Sequence, residues 1–141
     1  MSIYLDTSFL LGLFIETDSF ATSARAFFVE ADEPFIISDF AAVEFASAIA
    51  RLTRTGRILE EEAQQTFTRF DAWRARSTDS ENTTPDDIRR AESIIRRLNL
   101  NLRAPDAIHL AIASRLHASL ATFDTGMATN AHSLVVTISR I

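Results

Sequence analysis

Ile3-Tyr4-Leu5-Asp6-Thr7-Ser8-Phe9-Leu10-Leu11-Gly12-Leu13-Phe14-Ile15 reads as a short buried strand that ends on a carboxylate and feeds an apolar helix. The same grammar recurs along the chain. Pro34 precedes a second apolar run, Phe35-Ile36-Ile37, which is closed by Ser38 and Asp39 and followed by Ala41, Phe45, Ala48, Ile49 and Leu52 at helical spacing, with Gly56 as the stop. Between the two strands, Phe20, Ala24, Phe27, Phe28 and Ala31 mark a helix, and Leu59, Ala63, Phe67, Phe70 and Trp73 mark another beyond Gly56. The rings of that last stripe are read as core packing.

Thr84-Pro85-Asp86-Asp87 is a strong helix start, with a capping hydroxyl, proline in the first turn and acids at the dipole's positive end. Ile88, Ala91, Ile94, Ile95 and Leu98 give its inward face. Ala104-Pro105-Asp106 opens a further helix that is apolar nearly all round and therefore central. Strands are expected at residues 120–123, ahead of Asp124, and at residues 134–138. Short apolar strands alternating with helices imply an α/β fold, with a mostly parallel sheet covered on both faces. Right-handed crossovers bring the strand C-terminal ends to one edge, where such sheets bind ligands.

At 141 residues and 15.7 kDa the chain has the size of a single domain, residues 1–141. Linker-like composition is missing, and disorder is expected only near residues 78–84. Cysteine is absent, which excludes disulfides, thiolate zinc sites and cysteine nucleophiles and suits the cytoplasm. Asp6 interrupts the N-terminus before a signal-peptide core can form, and the longest apolar run, residues 9–15, is too short for a bilayer, so no membrane association is expected. All 14 cations are Arg. Without Lys there is no Walker-A loop, and neither haloacid-dehalogenase nor receiver-domain phosphoryl chemistry has its usual lysine.

A net charge of −5 argues against a non-specific nucleic-acid coat but suits a cluster of acids around a metal. Taken singly, Asp6 and Asp124 are explained by helix capping and Asp106 by the helix dipole. Glu44 lies roughly 80° from the centre of its helix's buried face, at the stripe's edge. Together the four acids can converge above one sheet edge from four separate elements, and their mutual repulsion then calls for a cation. An all-oxygen set favours magnesium or manganese. His109, His117 and His132 lack the close pairing of a zinc site. Such an ion suits phosphodiester hydrolysis. Thr7, Ser8 and Thr122 adjoin the acids as supporting donors, or else satisfy local backbone. Arg51 and Arg54 follow Glu44 on its helix and are candidates for holding RNA phosphates, or a solvated helix end. His109 is read as a packed histidine beside the pocket.

Tyr4-Leu-Asp-Thr-Ser8, Ser38-Asp-Phe-Ala-Ala-Val-Glu-Phe45, Leu102-Arg-Ala-Pro-Asp-Ala-Ile-His-Leu-Ala111 and Ala121-Thr-Phe-Asp-Thr-Gly126 stand in the order and spacing of a known family. The chain resembles the PIN-domain ribonucleases, and in size and motif wording the VapC toxins of toxin-antitoxin modules. This resemblance implies a PIN-like three-layer α/β/α fold with a short-stranded central sheet and a metal-dependent endoribonuclease. It implies an acidic pocket of Asp6, Glu44, Asp106 and Asp124, with Asp6 and Asp106 on the Mg2+ or Mn2+ ion. It also implies a homodimer held inactive by a small VapB-type antitoxin. One departure is Arg76-Ser-Thr-Asp-Ser-Glu-Asn-Thr-Thr84, polar where the family's third strand is more apolar, so that strand is expected to be short. Two other readings remain open: a non-catalytic interaction module on the same fold, and a phosphatase with Asp6 as nucleophile. The second lacks the usual second Asp two positions on, where Ser8 stands.

Overall fold

In the computed structural model, which describes residues 1–141, β1 (Ile3–Leu5) is followed by α1 (Thr7–Phe14) and α2 (Ala21–Glu30). Then come β2 (Phe35–Ser38), α3 (Asp39–Arg54), α4 (Glu60–Ser77) and β3 (Thr78–Glu81). The chain finishes with α5 (Pro85–Ile95), α6 (Ala104–Arg115), β4 (Ser119–Ala121) and α7 (Thr125–Ala131), capped by a short 3-10 turn over His132–Leu134. The sheet order is β3-β2-β1-β4, and every pair is parallel. The order in which strands are added reverses at β1: β2 and β3 build out on one side, and β4 is added on the other. The switch point therefore falls between β1 and β4, where a doubly wound sheet opens a crevice at its C-terminal edge.

Three residues suffice for β1 because all three are buried. Alternation sends Tyr4 with Leu120 to one face and Ile3, Leu5 and Ala121 to the other, in the register Tyr4 to Leu120 and Leu5 to Ala121. The first face packs on α5, α6 and α7 through Ala91, Ile94, Leu110, Ile112 and Met127. The second packs on α1 to α4 through Phe9, Leu10, Phe45, Ile49 and Phe70. This is the three-layer α/β/α arrangement expected. Helix α6 is the central one, with seven of its residues buried. Gly56, with φ +71°, ends α3 in the left-handed conformation that glycine adopts without steric cost.

Two expectations need correction. The polar stretch at residues 78–84 is ordered: Thr78–Glu81 pairs in parallel with β2 along four residues. What it lacks in apolar burial it gains from Arg115, whose guanidinium donates to Glu81 Oε1 at 3.0 Å and to the Asn82 carbonyl at 3.1 Å while holding Asp87. The strand expected at residues 134–138 does not form. Val135 turns left-handed (φ 59°), and only one parallel bridge, Leu120 to Ile138, joins this segment to the sheet. Leu134 and Val136 still enter the core, which accounts for the apolar pattern. No helix is long and apolar enough to cross a membrane.

Candidate active site

Four elements deliver the four acids. The chain leaves β1 at Leu5 and Asp6 becomes the N-cap of α1, its Oδ1 accepting the Phe9 N–H at 2.9 Å. Three residues past the end of β4, Asp124 caps α7 in the same way, through the Met127 N–H at 2.7 Å. Asp106 sits in the first turn of α6 and reaches back to the Arg103 N–H at 2.9 Å. Glu44 projects from the second turn of α3. Asp6 and Asp124 thus cap helices as the sequence suggested, and Asp106 lies at the N-terminal end of its helix. Asp6, Glu44, Asp106 and Asp124 line one cleft of about 380 Å³ at the C-terminal edge of the sheet. A larger depression over α5 and α6 contains Asp86 and Asp87, but Asp87 is consumed by a two-pronged bond from Arg115 (2.8 and 3.0 Å).

The supporting hydroxyls are arranged by acid. Ser8 donates to both oxygens of Asp6 (2.8 and 3.0 Å), and Thr122 donates to its Oδ2. Thr7 donates to Glu44 Oε1 at 2.8 Å. Thr122 also accepts the Asp124 N–H at 3.0 Å, tying the β4 end to the β1 end. Both oxygens of Asp6 are therefore filled, and the residue is only 1% exposed. Burial pushes its carboxyl above the usual range despite the His109 ring and these donors. At Glu44, burial is outweighed by the His109 hydrogen bond and by the Thr7 hydroxyl, so that carboxyl lies below its usual range. Glu44 Oε2, Asp106 Oδ1 and Asp124 Oδ2 accept no hydrogen bond within the protein.

No three histidine or acidic side chains converge into a ready-made ion cage. Each acid is instead held by its own local donors. The donor set nonetheless fits a hard divalent ion, because magnesium keeps several waters and needs only one or two protein carboxylates. Oxygen is the only ligand type on offer, since both nitrogens of His109 are engaged.

Arg51 and Arg54 line the α3 side of the cleft. Two further participants escaped the sequence reading. Arg103 lines the opposite rim with its side chain 83% exposed, 3.8 Å from Asp106 Oδ2. Tyr4 lies beneath the cleft, fully buried, with its hydroxyl 2.8 Å from His109 Nδ1. A lone phenol within a three-residue buried strand was the available signal, because a buried hydroxyl requires a partner.

A family model described as "PIN domain" matches residues 3–132. No curated protein sequence matches the chain. Among solved structures, the chain is similar to the Mycobacterium tuberculosis toxin VapC20, described as sarcin-ricin loop cleaving: TM-score 0.73, 21% identity, covering 90% of this chain and 93% of that one. It is also similar to FitAcB from Neisseria gonorrhoeae, with TM-score 0.71, 17% identity and coverage of 98% and 96%. VapBC2 from Rickettsia felis, solved with a DNA fragment of its promoter, gives TM-score 0.69, 12% identity and coverage of 99% and 98%. At these identities the likeness is one of fold.

Proposed function

Because the chain belongs to the PIN-domain family, we propose that it is a metal-dependent endoribonuclease that hydrolyses RNA phosphodiester bonds, acting as the toxin of a VapBC-type toxin-antitoxin module. The observation that carries this reading is the meeting of Asp6, Glu44, Asp106 and Asp124 around one cleft at the sheet's switch point. Asp6 and Asp106 would hold the ion, with Asp124 beside them. A bound Mg2+ or Mn2+ supplies charge to offset that developing on the phosphate and makes a water more acidic.

The chain's own groups do the rest. Ser8 and Thr122 orient the Asp6 carboxylate, and one of these hydroxyls would turn aside where Asp6 takes the ion. Glu44 keeps Oε2 free to accept a proton from water or orient it. Arg51 and Arg54 on one rim and Arg103 on the other offer forked donors to phosphates flanking the scissile bond. They offset the like-charge repulsion between an acidic cleft and RNA. The similarity to a solved VapBC complex supports a small VapB-type antitoxin as partner, and a homodimer is proposed with it from the family resemblance.

One observation favours a non-catalytic interaction module instead: both oxygens of Asp6 are already hydrogen-bonded. The same assay decides between them. Purified protein should cut structured RNA with Mg2+ or Mn2+ and stop in EDTA. Asp6→Asn and Asp106→Asn should lose at least about 100-fold in rate with circular dichroism unchanged. Equal cutting by parent and variants would place the activity elsewhere or in a contaminant. No cutting with either ion would favour the module.

A further inference from the structure

Beneath the cleft a line of polar groups runs through the core. Ser38 Oγ accepts the Ala41 N–H at 3.0 Å and lies 2.7 Å from the Tyr4 hydroxyl. Tyr4 lies 2.8 Å from His109 Nδ1, and His109 Nε2 lies 2.5 Å from Glu44 Oε1. Tyr4 and Ser38 are fully buried, and His109 is 2% exposed. The Phe40 ring, its centroid 5.0 Å from the imidazole's, further confines the ring.

One assignment of protons satisfies every member. Ser38, its oxygen occupied by Ala41, donates to Tyr4; Tyr4 donates to Nδ1; Nε2–H donates to the carboxylate. Apolar side chains would fill the same space without the risk that buried polar groups carry when one partner is lost. The line also ends on an acid whose other oxygen, Oε2, accepts nothing within the protein.

We propose that Tyr4 and His109 are positioning residues: the phenol fixes the imidazole as its Nε2–H tautomer, which holds Glu44 through Oε1 and leaves Oε2 to the cleft. Its kinetic consequence rests on the nuclease reading above; its structural content does not. Thr7 shares Oε1 with the imidazole, so the carboxylate is held by two donors from two elements. The second nitrogen of the histidine sets which tautomer the first presents, as in other carboxylate-histidine arrangements.

The test uses the full-length protein labelled with 15N at histidine, with the His109 signals identified by their loss in His109→Gln. Long-range proton-nitrogen spectra should show the Nε2–H form in the parent and a mixture in Tyr4→Phe, a nearly isosteric change. In cleavage assays, Tyr4→Phe and His109→Leu should lower kcat by about 10- to 100-fold, with KM within about twofold. His109→Gln, whose amide can donate from near the position of Nε2, should recover most of the loss. A parent in the Nδ1–H form, a tautomer unmoved by Tyr4→Phe, or an unchanged kcat in folded Tyr4→Phe would overturn the proposal. If the parent cuts no RNA with Mg2+, the nuclease reading falls, and the tautomer measurement alone decides whether the pair holds Glu44.

Discussion

At Asp6 a single carboxylate caps α1, accepts two hydroxyls and lies almost wholly out of water. Burial raises its carboxyl above the unfolded-chain value, opposed by His109, Thr122, the Phe9 N–H and Ser8. An acid raised on folding binds its proton more tightly in the native state. Its favourable contribution is therefore present at low pH and lost as pH rises through the folded value. Asn at this position keeps an acceptor for the Phe9 N–H and removes the charge. Asp6→Asn in EDTA should melt no lower than the parent near neutral pH, with its advantage shrinking on acidification. Thermal scans across pH check this; a parent that is markedly more stable near neutrality would contradict it. The sequence showed Asp6, Asp106 and Asp124 because capping and strand-end positions are local. Tyr4 and Arg103 were hidden because their partners depend on which elements meet: Tyr4 bonds to residues 34 and 105 positions away.

Helix α6 and strand β3 are joined by Arg115, which holds Asp87 with two bonds and Glu81 with one. Burial opposes ionisation of Asp87, but Arg115 and the Thr84 backbone and hydroxyl outweigh it and hold the carboxyl below its usual range. That contribution is present near neutrality and lost only as pH falls through the depressed value. Arg115→Ala leaves Asp87, 2% exposed, without its cation. It should cost about 3 kcal/mol in urea unfolding, the low end for a buried pair because Arg115 is partly solvated. Hydrogen exchange should rise at residues 78–81; unchanged protection there would show that β3 stands without the clamp. This tertiary link is why a polar stretch that looked disordered is a strand. The converse error, at residues 134–138, arose because apolar alternation signals burial, while the ladder depends on backbone that the left-handed Val135 diverts. Most helices were legible from their stripes and caps, since both signals lie within one element.

Taken whole, the molecule joins a net charge of −5 to a cleft whose floor is acidic and whose rim carries Arg51, Arg54 and Arg103. The parallel sheet follows from the alternation of strands and helices, and its order, β3-β2-β1-β4, sets the switch point beside Asp6. The meeting of acids from α1, α3, α6 and α7 could be anticipated only as far as that edge. Whether they share one ion depends on side-chain spacing that sequence does not encode locally. Titration of 15N-labelled protein with Mn2+, followed by paramagnetic broadening of amide signals, tests the shared site most directly. Broadening should begin around Asp6, Glu44, Asp106 and Asp124, be reversed by excess Mg2+ and be lost in Asp106→Asn. Broadening centred elsewhere, such as Glu60 to Glu62 or Asp86, or none at these four, would contradict it.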